Sequence, residues 1–140
     1  MNEKNIFQTS PYNTEYGISK FLGEQEVWRG IAEGLNAAIV NPSVIIGAGR
    51  WNEGTGQFFA TLHKGFRFVP TGKISLVDVR DVARMMLQIA QSDINDERFI
   101  ANAGELTYRD FFGAIAQELQ VKSPTIAITP FLREIAWRLA

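Results

Sequence analysis

Tyr16 and Lys20 are the residues whose types and spacing most directly permit chemistry. Four positions apart, they share one face of a helix, about one turn from each other. A tyrosine hydroxyl alone is a poor base at neutral pH, since its reference pKa is about 10. An ammonium group held beside it favours the phenolate. Such a pair suits general acid/base work on a hydroxyl or carbonyl group. The bland reading of the same spacing is an amphipathic surface helix.

The elements that must position the pair are legible around it. Asn13 or Thr14 can cap the helix, and Glu15 complements its positive end. Ile18, Phe21 or Leu22, Gln25, Trp28 and Ala32 form one stripe; Tyr16, Lys20, Val27 and Ile31 form another. A helix apolar on more than one side packs against a sheet or a partner helix. Glu24 stands four residues after Lys20, where a simple ion pair is expected. Gly34 is a helix stop. Residues 37–41 are continuously apolar up to Asn41 and read as a buried parallel strand, ended by Pro42. Helix then strand, with short links, points to an α/β layered fold.

Gly47-Ala48-Gly49 begins like a dinucleotide fingerprint, but Asn52 stands where the third glycine belongs. The stretch reads instead as a mobile loop over a substrate pocket, extended by Gly54 and Gly56. Arg50 and Trp51 on it could grip an anionic or ring-shaped substrate, or be plain loop residues. Residues 57–64 read as a short helix. Phe66 and Phe68, then Ile74 and Leu76, flank a Pro70-Thr71-Gly72 turn and suggest two short strands. Asp78 and Asp81 resemble a helix-start box, followed by the stripe Val79, Val82, Met86 and Ile89. Residues 98–101 suggest another strand. Thr107 and Asp110 form a second box before Phe111, Ile115, Ala116 and Leu119. Phe58, Phe59, Phe111 and Phe112 read as core. Thr129-Pro130 starts a last helix with Leu132, Ile135, Ala136 and Leu139 on its apolar face.

Composition bounds the function. The 140 residues suit one domain, and 46% apolar residues can build a core. Fourteen basic and fifteen acidic residues leave no tract that would engage nucleic acid. No apolar run is long enough for a membrane span. The first residues do not form a secretory signal, and there are no cysteines for disulfide or thiol chemistry. A cytoplasmic location is expected. His63 is the only histidine and reads as a solvated helix residue, so no metal site is expected.

Three blocks in this order and spacing carry a resemblance: Tyr16-Gly17-Ile18-Ser19-Lys20, Asn41-Pro42-Ser43-Val44-Ile45-Ile46-Gly47, and Leu76-Val77-Asp78-Val79-Arg80-Asp81-Val82-Ala83. They resemble the extended short-chain dehydrogenase/reductase family, the NAD(P)-dependent epimerase/dehydratase group that includes dihydroflavonol-reductase-like enzymes. The resemblance covers about residues 12–104. It implies the C-terminal part of a Rossmann-like parallel-sheet fold with a small substrate-binding α/β portion. Tyr16 matches the family's catalytic acid/base and is also among the implied cofactor-binding residues. Lys20 matches the lysine that tunes the tyrosine and binds the nicotinamide ribose of NAD or NADP. Asn41, Pro42, Ser43 and Val44 match the segment that passes the nicotinamide ring. The block from Asp78 matches a mainly structural helix start, and residues 47–59 the region that contacts substrate. The implied substrate is a sugar nucleotide or a small carbonyl or hydroxyl compound.

Only 15 residues precede Tyr16, whereas the family's glycine-rich phosphate loop lies well over a hundred residues upstream. The chain therefore reads as one truncated domain, the C-terminal half of such an enzyme, and as inactive by itself. The rival reading is a non-catalytic assembly unit. A parallel strand without its usual neighbours leaves an edge that invites another chain. The chain is expected to self-associate as a homo-oligomer. Light scattering at high concentration checks this, and a monodisperse monomer would count against it.

Overall fold

The computed structural model describes residues 3, 7–8, 10–11 and 13–128. The helix expected from Thr129 lies outside the described residues. Along the chain run α1 (Glu15–Ala32), β1 (Ala38–Pro42), β2 (Val44–Ile46), α2 (Gly56–His63), β3 (Phe68–Pro70), β4 (Lys73–Asp78), α3 (Val79–Ala90), β5 (Glu97–Ala101), β6 (Gly104–Thr107), α4 (Tyr108–Glu118) and β7 (Ile126–Ile128). They form two units. One holds the described residues up to Pro42 with Asp81–Ala101; the other holds Ser43–Arg80 with those from Asn102 onward.

In the first unit, Thr14 is the cap of α1. Its Oγ1 accepts a hydrogen bond from the Gly17 N–H at 3.1 Å. Asn13, the other candidate, donates its side-chain amide to the Gln8 carbonyl at 2.9 Å. The helix closes at Gly34, whose φ of +101° suits only a residue without a side chain. Its N–H donates to the Ile31 carbonyl and that of Leu35 to the Gly30 carbonyl, both at 2.9 Å. The packed face of α1 is not either expected stripe. Phe21, Glu24, Val27, Trp28 and Ile31 are half-buried, while Ile18, Leu22 and Gln25 are exposed. The two stripes merge, with Glu24 in the middle. The Phe21 ring stacks on Phe7 at 4.2 Å. β1 pairs in parallel with β5, Ala38 opposite Glu97 and Pro42 opposite Ala101. The expected strand is thus parallel, but half-buried rather than buried, and it includes Pro42.

The second unit is built on β4, which pairs in parallel with β2 and antiparallel with β6. β3 pairs in parallel with β7. The strands flanking the Pro70-Thr71-Gly72 turn both form, yet each takes a partner other than its sequence neighbour. β6 and β7 went unanticipated. They are four and three residues long, and every residue of β6 is exposed, so no burial pattern marked β6. Gly56 is the first residue of α2 rather than part of the loop. Asp81 pairs with Arg84 at 2.9 Å, so the expected box at α3 is not closed by it. Asp78 instead accepts the Arg80 N–H at 2.7 Å. α4 is capped as expected: Thr107 Oγ1 accepts from the Asp110 N–H at 3.1 Å and donates to its carboxylate at 2.6 Å.

The core of this unit joins Leu62, Val69, Ile74, Phe111, Phe112 and Ile115. Phe58 meets Phe111 edge-on at 5.5 Å. Leu62 is 1% exposed, so its removal leaves a cavity the surroundings cannot fill. Leu62→Ala is expected to cost about 2–5 kcal/mol of unfolding free energy. Urea unfolding checks this, and an unmoved midpoint would show that the core does not centre there.

Candidate active site

α1 presents Tyr16 and Lys20 together. Tyr16 is 72% exposed, and Lys20 Nζ lies 5.9 Å from the centre of its ring. The Ser19 hydroxyl donates to the Tyr16 carbonyl at 3.0 Å, within the same turn.

Glu24, the next residue along this side of the helix, does not pair with Lys20. Its Oε1 accepts from Arg98 Nη1 at 2.8 Å and Trp28 Nε1 at 3.2 Å, and its Oε2 accepts from Asn41 Nδ2 at 3.0 Å. The Glu24 and Arg98 side chains are only 17% and 23% exposed. One carboxylate thus ties α1 to β1 and to β5. Burial pulls its pKa upward, but the bonds from Asn41, Arg98 and Trp28 and the Arg98 charge outweigh that, leaving it below the ordinary 4.5. Arg98 and Trp28 escaped the sequence reading as polar partners. The available signal was a charge in the middle of an apolar helix face, which needs a partner from elsewhere.

Beyond Asn41, Pro42 ends β1 and is exposed. Ser43 Oγ is buried and has no hydrogen-bond partner among the described residues. Val44 starts β2 opposite Leu76. Thus Asn41 and Pro42 belong to the same unit as Tyr16 and Lys20, whereas Ser43, Val44, Arg50 and Trp51 belong to the second.

Within the second unit, Ile45, Val79, residues 47–50 and 53–55 and the first residue of α2, Gly56, line an open groove of about 420 Å³. Its shape depends on close approach at two glycines. A side chain at Gly56 would stand 2.1 Å from the Arg50 carbonyl oxygen, and one at Gly47 2.3 Å from Val79 Cγ1. The Thr55 hydroxyl donates to the Ile45 carbonyl at 2.8 Å, anchoring the loop to β2. Arg50 lines the groove and meets Glu53 at 3.2 Å, in a pair 79% and 63% exposed. Such a pair is weak, so the guanidinium can exchange it for another anion. Trp51 does not line the groove; it lies edge-on to His63 at 5.8 Å and 6.2 Å from Phe59. Among the described residues no His, Cys, Asp and Glu cluster could hold a metal ion. No described helix is long and apolar enough to cross a membrane.

The mixed α/β fold with parallel strand pairs is of the Rossmann-like class. Residues 2–104 match the sequence profile of the NAD dependent epimerase/dehydratase family. The chain belongs to that family. Its fold matches a nucleoside-diphosphate-sugar epimerase from Pseudomonas aeruginosa at TM-score 0.87 and 18% identity, covering 99% of this chain and 46% of that one. It also matches the Bordetella bronchiseptica enzyme WbmH in complex with NAD+ at TM-score 0.66 and 20% identity, covering 88% and 42%. A dTDP-glucose 4,6-dehydratase from Streptomyces venezuelae with NAD bound gives TM-score 0.64 and 18% identity, covering 81% and 38%. The chain therefore spans less than half the length of these structures. No curated protein matches the sequence.

The Glu24 bridge has a pH signature. A carboxylate whose folded pKa is depressed stabilises fully above its unfolded value and loses that contribution as pH falls through the folded one. Wild type should exceed Glu24→Gln in unfolding free energy at pH 7, and the gap should narrow below the ordinary value of 4.5. Urea unfolding of both proteins at several pH values checks this; a gap constant with pH would exclude the charge as its source.

Proposed function

We propose that this chain carries the acid/base half of an NAD(P)-dependent oxidoreductase, epimerase or dehydratase of the extended short-chain type. The single observation that carries the reading is the exposed Tyr16 ring with Lys20 Nζ 5.9 Å from its centre, on a chain of this family. The substrate is a sugar nucleotide or a small carbonyl or hydroxyl compound. Proteins of similar fold include a nucleoside-diphosphate-sugar epimerase and a dTDP-glucose 4,6-dehydratase, which supports the first of these.

Tyr16 exchanges a proton between its hydroxyl and an oxygen of the substrate. Lys20, with three donors on a flexible stem, holds the ribose hydroxyls of NAD or NADP and keeps a positive charge beside the ring. A bound nicotinamide supplies the hydride chemistry. In the second unit, the buried Ser43 hydroxyl has no hydrogen-bond partner among the described residues and offers one to a bound group. Arg50 in the second unit's groove offers its charge to an anionic substrate. These residues hold no complete glycine fingerprint for the phosphates, and self-association is part of the same reading. The cysteine-free composition fits a reducing compartment such as the cytoplasm.

Titration with NADH and NADPH, followed by nicotinamide fluorescence, tests the reading. Saturable binding is expected, with Lys20→Ala weakening it and Tyr16→Phe leaving it largely intact while abolishing turnover in a substrate screen. Absence of binding at millimolar cofactor would favour the assembly-unit reading.

A further inference from the structure

We propose that Glu24 is a positioning residue, whose bridge to β1 and β5 fixes the direction in which Tyr16 and Lys20 face. The proposal rests on the role given above to those two residues and extends it to a third.

Apolar contact is non-directional and opposes rotation of a helix about its axis only weakly. α1 has no fully buried residue, so its rotation is poorly fixed by packing. Hydrogen bonds are directional. Those at Glu24 reach Asn41 near the end of β1 and Arg98, which stands opposite Ile39 in the β1–β5 pair. Helical geometry sets Glu24 about 40° around the axis from Lys20 and about 80° from Tyr16, some 6 Å and 12 Å farther along it (roughly). Tyr16 and Lys20 therefore flank the packed side at a fixed offset. Rotation of α1 would carry both away together.

The chemistry of the position is specific to a carboxylate. Three donors converge on it: the Arg98 guanidinium, the Trp28 indole and the Asn41 amide. A carboxylate offers acceptors on both oxygens, whereas the glutamine amide offers one oxygen and two more donors. In Glu24→Gln the negative charge facing Arg98 is lost, and Asn41 keeps a hydrogen bond only by turning its amide to present Oδ1. Glu24→Asp keeps both acceptors at a shorter reach.

The test compares wild type with Lys20→Ala, Glu24→Gln, Glu24→Asp and the double variant Lys20→Ala/Glu24→Gln, with NADH as probe. Glu24→Gln should weaken NADH binding about tenfold, as expected for a small misplacement of a binding group. Glu24→Asp should recover part of that loss. In the double variant the two losses should fall short of additive, because Glu24 acts through Lys20. Additive losses, or Glu24→Gln affinity within about twofold of wild type, would overturn the proposal. Arg98→Gln breaks the same bridge from β5 and serves if Glu24→Gln does not fold. If wild type itself shows no saturable binding, the reading of Tyr16 and Lys20 fails on its own account. Amide exchange on the cofactor-free chain then decides about Glu24. Faster exchange of residues 21–28 and 39–41 together in Glu24→Gln supports the bridge, and unchanged rates overturn it.

Discussion

A charge seated in the packed face of a helix is the constraint on which the first unit depends. Removing a carboxylate from water is costly unless strong donors replace the lost hydration. Glu24 finds three, from its own helix and from two strands. This unit has little else to hold it: among its described residues only Val82 and Ala101 are buried apolar side chains. The second unit is held in the opposite way, by a cluster of Leu, Val, Ile and Phe side chains with few polar obligations. Non-directional packing suffices for a scaffold. A helix with no buried side chain is held in one orientation only by bonds that have direction.

What the sequence disclosed follows the range of the interactions involved. The Tyr16–Lys20 pair, the Thr14 cap and the Thr107–Asp110 box are set within one helical turn, and each formed where periodicity put it. Pairing partners of strands are not local. β1 finds β5 across the whole stretch that contains β2 to β4, so the sequence named a parallel strand without its mate. The strands flanking Pro70-Thr71-Gly72 were legible but their partners were not, for the same reason: β3 and β4 join different sheets. Glu24 shows the limit most sharply. The local rule offers Lys20 four residues away, and the better partner, Arg98, lies 74 residues along the chain.

The candidate site divides along similar lines. Tyr16 and Lys20 are legible because a motif of two residue types on one helix face is complete in itself. The groove beside β2 is not, because it rests on close approaches at glycines. Gly47 and Gly56 make it by what they lack, and a glycine in a sequence does not reveal which atoms approach it. Trp51, read as a possible substrate contact, turns to His63 and Phe59, while Arg50 remains on the groove. The family match reaches across both stretches, from residue 2 to residue 104.

The pairing of β1 with β5 closes a chain loop of more than fifty residues, and the groove-forming stretch is strung inside it. The entropy of closing such a loop grows only with the logarithm of its length; doubling it costs about 0.6 kcal/mol. Insertions and deletions between Gly47 and Gly56 would therefore tax the strand pair very little. The Tyr16–Lys20 turn precedes that stretch in sequence, and the Glu24 bridge ties its helix to β1 and β5. A lineage built on this plan can change the length of the groove loop while leaving Tyr16 and Lys20 in inherited alignment.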